Sequence, residues 1–466
     1  MQPYKGTILL NPGGPGGLGV GMARPSYVTL TGGHYDVLGF DPRGVGQSRP
    51  LKCSKNSYTS ARELGQIYAK DTPFDTDSSD TSVGRFGADM QVQVRRCEKY
   101  DGEFLQYLST AYVARDMDLI RAALGESVLS FYGISYGSYV AQFIGLTYAN
   151  MFPDRVGQIA IDSVLDPIFY TGPTPELLLE SVYDLDTIYH GFGAACEAEG
   201  PNHCALAENS TRSGYVLDKL QALFDRTDES PLIVPTQDGD FAVLSGSQIR
   251  ASIVGTFDGP ARWSKRAQVL QQIIDGTYVA KSIEESCPAT DTYRGAGMES
   301  SVYIANDGNN SGQGNISWED LFIESKAINS LFGPYMVRDS IYVKYWTTKP
   351  VERYAGPWNK PFKRPLLILN NEWDPSTPLR WAQHTAQLLG ENGILVTREG
   401  FGHSVKNLPS VCIQQITIDF FTNGTNPEPN TICKVDVGPF GTPVVREAAS
   451  AVEAARQDAA EYLSGN

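Results

Sequence analysis

Apolar runs without polar interruption mark both ends of the chain. They are TILLN (7–11), YDVLGF (35–40), VLSFYG (128–133) and QIAID (158–162), then LLILN (366–370) and ILVTRE (394–399). Continuous rather than alternating runs belong to strands covered on both faces, as in a parallel sheet. Helical spacing fills the gaps between them. In TAYVARDMDLIRAALG, Val113, Met117, Ile120 and Leu124 recur on one face and Gly125 comes next as a stop. SYVAQFIGLTYANMF (138–152) runs up to Pro153. Strands alternating with helices predict an α/β fold: a mostly parallel sheet flanked by helices.

The middle has another texture. From 168 to 355 helix-like segments alternate with turn-rich stretches such as GNNSGQGN (308–315), and strand signals are sparse. This predicts a largely helical cap inserted into the α/β core. The expected division is a first core part over 1–167, the cap over 168–355, a second core part over 356–433 and a tail over 434–466. The tail's VVREAASAVEAARQDAAEYL (444–463) reads as a peripheral helix with a thin apolar face. No internal repeat is visible.

Composition narrows the function. The chain has 466 residues, 41% hydrophobic and 20% charged, which suits a globular protein with more than one minimal core. A net charge of −15 repels phosphate backbones and argues against a nucleic-acid partner. No apolar run approaches the roughly 18 residues of a membrane helix, so no membrane partner is expected. The opening MQPYKG has no apolar segment of the kind a secretory signal carries.

Seven cysteines and sequons at Asn209, Asn309, Asn315 and Asn423 lean instead toward an extracytoplasmic, secreted protein. Cys196 and Cys204 are close enough for a small loop, Cys412 and Cys433 flank a turn-rich stretch, and Cys53 and Cys97 bracket a polar one. Three such bridges would leave Cys287 unpaired; the alternative is seven reduced thiols. A metal site at Cys196, His203 and Cys204 lacks a fourth ligand and a credible spacing, so no metal is expected.

GTILLNPGGPGGLGVG (6–21) contains a G-x-G-x-x-G match after a strand, and Asp41 ends the next strand where a ribose-binding acid would sit. The dinucleotide reading fails for want of a helix. Only VGMARPSYVTLTGG is available to form one, with Pro25 in its middle, and Pro15 removes a backbone donor from the glycine run. No cofactor is therefore expected. A tight loop without a long helix suits a different task, presenting N–H groups to a developing negative charge.

The nucleophile for that charge lies 120 residues on. VLSFYGISYGSYVAQF reads strand, Gly133-Ile134-Ser135-Tyr136-Gly137, helix: the G-x-S-x-G elbow in its confirming context. A serine hydroxyl needs a base, and the base an acid to orient it. In hydrolases of this type the acid and then the base come after the nucleophile. LLILNNEWDPSTP places Asp374 just past a buried strand, and ILVTREGFGHSV places His403 in a Gly-rich loop past the next. Each has a bland alternative: a turn cap for Asp374, with Glu372 two residues away, and an ordinary loop histidine for His403. The other histidines (34, 190, 203 and 384) have no comparable setting. The expected oxyanion donors are the N–H groups of Tyr136 and of Gly13 or Gly14, with Gly14 preferred.

With these residues in place, the chain resembles the α/β-hydrolase peptidases related to prolyl aminopeptidase, in particular the secreted tripeptidyl-aminopeptidase-like branch. The resemblance is carried by NPGGPGG, YDVLGFDPRGVGQS, FYGISYGSYVA, PDRVGQIAIDSVLDP, PLLILNNEWDPSTPLRWA, GFGHS and the Cys412 to Cys433 end. It implies Ser135, Asp374 and His403 as the triad, and removal of residues or short peptides from free N-termini. The family usually opens with a signal peptide and two further strands before the segment that here starts at Gly6. That implies either a truncated N-terminus or a sheet without that edge. It often carries a cysteine pair near positions occupied here by Asn306 and Val343. Glu176, Glu180 and Asp184 are candidates for holding the substrate's α-amine, against the plainer reading of a solvated acidic helix face.

The expected activity is a serine peptidase acting through an acyl-enzyme on a peptide. The alternative is an esterase or lactonase on a small ester, since the same parts serve both. A hydrolase-like binding protein is disfavoured because all three triad positions are filled. The oligomeric state is left open.

Overall fold

A computed structural model of the chain describes residues 4–14, 16–54, 80–135, 141–281, 297–310, 318–338 and 341–442. Tyr136, Cys287, Asn315 and the 444–463 segment lie outside the described residues.

The apolar runs form one parallel sheet. Its strands are β1 (Thr7–Asn11), β2 (Asp36–Gly39), β3 (Leu129–Ile134) and β4 (Val156–Asp162), succeeded after a long insertion by further strands. The insertion carries a small hairpin, β5 (Leu232–Pro235) and β6 (Phe241–Leu244), before the sheet resumes with β7 (Leu366–Trp373), β8 (Gly393–Phe401) and β9 (Thr431–Cys433). The order across the sheet is β2-β1-β3-β4-β7-β8-β9, and every neighbouring pair is parallel.

Period-two alternation explains the burial on both faces. Leu9, Phe131, Ile159, Ile161 and Ile368 pack toward one set of helices, which includes Thr110–Ala123 and Leu379–Leu389. Ile8, Leu10, Tyr132, Ala160, Leu367 and Val396 pack toward Ile413, Phe420 and Phe421 of the helix Val411–Asn423. At roughly 25 cal/mol per Å² of apolar surface, two such layers are the main stabilising term of the core.

Between β4 and β7 the described residues are mostly helical, including Leu185–Glu199, Gly246–Phe257 and Glu299–Asp307. The hairpin is an exception that the apolar pattern did not reveal. Its register pairs Ile233 with Val243 and Pro235 with Phe241 around Asp238-Gly239, a turn dipeptide with Gly239 at φ 85°. Strand β9 is equally hidden in the sequence, since three residues carry no readable periodicity. It is held to the preceding helix by the disulfide Cys412–Cys433. Two further disulfides join Cys53 to Cys97 and Cys196 to Cys204. Asn209, Asn309 and Asn423 are exposed.

Candidate active site

The sheet reverses its order of growth between β1 and β3, so the crevice beyond their carboxyl ends is a topological switch point, where open α/β sheets place their ligands. Register brings the relevant loops level with one another. Asn11 lies opposite Gly133, Ile134 opposite Asp162, and Trp373 opposite Phe401. The glycine loop, Ser135, Asp374 and His403 therefore all leave the sheet at the same end.

Ser135 takes φ 39°, in the left-handed region that non-glycine residues avoid, and is 1% exposed. Its N–H donates to the Asp162 carbonyl at 2.8 Å. A strained serine at a strand end is what a sharp strand-to-helix elbow requires. Its Oγ is buried and has no hydrogen-bond partner among the described residues.

His403 sits past β8 with its Nδ1 2.7 Å from Asp374 Oδ1 and 3.0 Å from Oδ2. Asp374, rather than Glu372, meets the imidazole; Glu372 instead accepts from the Gly400 N–H at 3.2 Å. The Asp374 carboxylate is fully buried and surrounded by donors. Its Oδ1 takes the N–H groups of Ser376 (2.9 Å) and Thr377 (2.8 Å), and its Oδ2 takes the Ser163 hydroxyl (2.7 Å). With that orientation fixed, Nδ1 is the donating nitrogen and Nε2 is left to accept. Nε2 is buried and has no partner among the described residues, so the structure joins His403 to Asp374 and leaves His403 and Ser135 unbonded. Burial lowers the His403 pKa, but the charge and hydrogen bond of Asp374, with the charges of Asp258 and Asp162, outweigh it and raise the pKa to about 9.

The glycine loop distinguishes its two candidate donors. The Gly13 N–H is spent on Asn11 Oδ1 at 2.9 Å. The Gly14 N–H finds no acceptor among the described residues. Gly14 adopts φ 125°, and a Cβ there would fall 2.5 Å from the Gly17 nitrogen, so only glycine holds this turn. Asp41 accepts from the N–H groups of Val20 (3.2 Å) and Gln47 (3.2 Å), which occupies it in bracing loops rather than facing a ribose.

The reading of Glu180 and Asp184 as a solvated face is corrected. Arg380, on the helix Leu379–Leu389, pairs with Glu180 at 3.1 Å and with Asp184 at 3.0 Å. Burial raises the Asp184 pKa, against the opposing pull of Arg380. Glu176 alone is exposed. His384 also has a carboxylate neighbour after all: its Nδ1 contacts the buried Asp166, which caps the helix Pro167–Thr171.

Several supporting residues were not singled out from sequence. Ser163, at φ 64°, donates to Asp374 and accepts the Ser404 N–H at 2.5 Å, so one hydroxyl ties the Asp374 loop to the His403 loop. Asp162, fully buried, accepts from Ser404 Oγ at 2.5 Å and from the Val405 N–H at 2.9 Å. Burial raises its pKa and these donors oppose the rise. Arg398 lies beneath, donating to Asn371 Oδ1 at 2.6 Å and to the Phe401 carbonyl at 2.8 Å. Burial lowers its pKa to about 10 despite the charges of Asp162 and Asp374. Only the strand-end position of IDS (161–163) hinted at any of these.

The parallel sheet, its order and the loops gathered at its carboxyl end are those of the α/β-hydrolase fold. Residues 329–433 match the family described as TAP-like protein. Over 460 residues the chain is 25% identical to a tripeptidyl aminopeptidase of Streptomyces lividans, covering 94% of this chain and 78% of that protein. It is likewise 25% identical over 443 residues to the serine protease Hip1 of Mycobacterium tuberculosis, covering 92% and 81%. A third relative, carboxylesterase B of the same organism, is 25% identical over 458 residues, covering 92% and 80%.

Proposed function

We propose that the chain is a serine peptidase that releases residues or short peptides from the free N-terminus of peptide chains through an acyl-enzyme. The observation that carries this reading is the His403–Asp374 pair, buried and bonded at 2.7 Å, on loops level with the strained Ser135 elbow. Ser135 attacks the scissile carbonyl while His403 Nε2 takes its proton and returns it to the leaving amine; Asp374 keeps the imidazole oriented. A serine–histidine bond of this kind often tightens only with substrate bound. The Gly14 N–H and that of Tyr136 stabilise the tetrahedral oxygen. The inserted helices form a cap over the crevice, which favours a chain end over a chain middle. The named peptidase relatives support the substrate class, and three disulfides fit an extracytoplasmic setting. The partners are peptide substrates, with neither nucleic acid nor membrane.

A fluorophosphonate probe tests the chemistry. The wild-type chain should label and Ser135→Ala should not; an unlabelled, folded wild type overturns the catalytic assignment. Aminoacyl- and tripeptidyl-arylamides set against short-chain aryl esters test the substrate class. Ester turnover with no arylamide turnover would replace the peptidase reading by an esterase, which the carboxylesterase B relative keeps in view.

A further inference from the structure

We propose that Asp258, which lies in the inserted segment, is a positioning residue that fastens the cap to both catalytic loops and fixes His403 in place. The proposal rests on the assignment of Ser135, Asp374 and His403 as a triad.

Asp258 closes the helix Gly246–Phe257 and uses both its main chain and its side chain on the site. Its carbonyl oxygen accepts the His403 N–H at 2.8 Å and Asn407 Nδ2 at 2.7 Å. Its carboxylate Oδ1 accepts the Ser376 hydroxyl at 2.8 Å, and the Ser376 N–H in turn donates to Asp374 at 2.9 Å. One cap residue thus holds the base's loop through its backbone and the acid's loop through its side chain. The close approach depends on Gly402, at φ 115°: a Cβ there would lie 2.6 Å from Pro260 Cδ and 3.4 Å from the Asp258 carbonyl oxygen.

A helix end needs only a polar cap, and an asparagine or serine would serve without bringing a buried charge to the site. The carboxylate is explained by what it faces. Burial raises the Asp258 pKa; the His403 charge, the Ser376 bond and Arg262 oppose the rise, and Asp374 adds to it. Three carboxylates bear on His403, those of Asp374, Asp258 and Asp162, from the turn after β7, the cap and β4 in turn. Arg398 stands behind Asp162 and Asp374. Of the three, only Asp258 belongs to the cap, so loss of its contact would leave the imidazole both looser and less basic.

The test uses two variants of the full chain. Asp258→Asn keeps an acceptor for Ser376 and removes only the charge. In a Ser135→Ala background, the His403 imidazole titration measured by NMR should fall by about one unit, the effect of removing one facing charge. The acid limb of kcat/KM in the active chain should move down with it. Asp258→Ala removes the bond as well and should lower kcat about tenfold with KM changed less than about twofold, a loss of positioning rather than of binding. Above its acid limb, Asp258→Asn should recover most of that loss. An unmoved His403 titration in Asp258→Asn, or an unchanged kcat in Asp258→Ala, overturns the proposal. If Asp258→Ala does not fold, the isosteric variant decides alone. If the wild type hydrolyses neither arylamide nor ester, the peptidase reading falls, and the NMR titration still decides whether Asp258 acts on His403.

Discussion

The two halves of the candidate site are finished to different degrees. On the acid–base half, the Asp374 carboxylate takes two N–H groups, the Ser163 hydroxyl and the imidazole, and Ser404 and Val405, next along the chain from His403, are tied to Asp162. On the nucleophile half, Ser135 Oγ, His403 Nε2 and Asn11 Nδ2 are buried without a partner among the described residues, and the Gly14 N–H has no acceptor there. Buried polar groups are almost always paired, and each one left unpaired costs about 1–3 kcal/mol. Such atoms also occur elsewhere, Arg398 Nη1 behind the carboxylates among them, so the contrast is that the Asp374 carboxylate is saturated with donors while Ser135 Oγ and His403 Nε2 have no partner among the described residues. The Asp374–His403 pair is bonded in the protein alone, and on the proposed mechanism the Ser135 side would be engaged only by a substrate.

Breaking the braced half should do the most. Asp374→Asn keeps shape and most contacts but favours the wrong imidazole tautomer, and the same exchange in a serine peptidase triad lowers kcat by about 10⁴-fold. Peptide hydrolysis reduced by less than about tenfold would mean the pair is structural. On the open half, Gly14→Ala sets a Cβ 2.5 and 2.6 Å from the Gly17 and Gly16 nitrogens and displaces the free N–H. Loss of one oxyanion donor costs about 10²–10³ in kcat, so the expected drop lies in that range with KM little changed. A variant as active as wild type would reassign the donor.

The sheet and its loops were legible because buried parallel strands write continuous apolar runs, and all six runs became strands. The placement of Ser135, Asp374 and His403 at one end of the sheet was legible because each lies past such a run by a short, turn-forming offset. What the sequence did not announce depends on contacts between distant segments. Ser163 matters because it stands 2.7 Å from an atom 211 positions away. Asp258 sits in an ordinary turn sequence, FDGP, and nothing local says that a residue of the inserted segment reaches the His403 loop. The pairing of Glu180 and Asp184 with Arg380 fails to show for the same reason. Local patterns specify elements and their ends; charge partners across the fold need coordinates.

Protonation probes the seam between the halves, because His403 belongs to both. Its folded pKa of about 9 stands above the ordinary histidine value of 6.5. Only the neutral imidazole accepts the Ser135 proton, so kcat/KM should rise about tenfold per pH unit toward that value. The difference between pH 7 and pH 9 should be about fiftyfold, since half the imidazole is still protonated at its pKa. The same shift has a stability sign. The protonated form is favoured by folding, so its contribution is fully present below the unfolded pKa and is lost as pH rises through the folded one. Activity should therefore climb over the window in which this contribution to stability declines. An acid limb below neutrality would show that the three carboxylates do not act on the imidazole as the geometry implies.

The smallest effect comes from within the braced half. Ser163→Ala deletes one hydroxyl, yet strips a donor from Asp374 Oδ2 and an acceptor from the Ser404 N–H. Asp374 keeps its two N–H donors and the imidazole, so the pair should persist with a wider range of orientations. A buried N–H left without its acceptor costs about 1–3 kcal/mol, which should appear as a lower unfolding midpoint. The looser acid should reduce kcat by about tenfold, with substrate binding nearly unchanged. Steady-state arylamide kinetics beside thermal unfolding separates the two effects. If stability falls while kcat stays at the wild-type value, Ser163 braces the loops without orienting the acid, and the completeness of that half is a matter of folding alone.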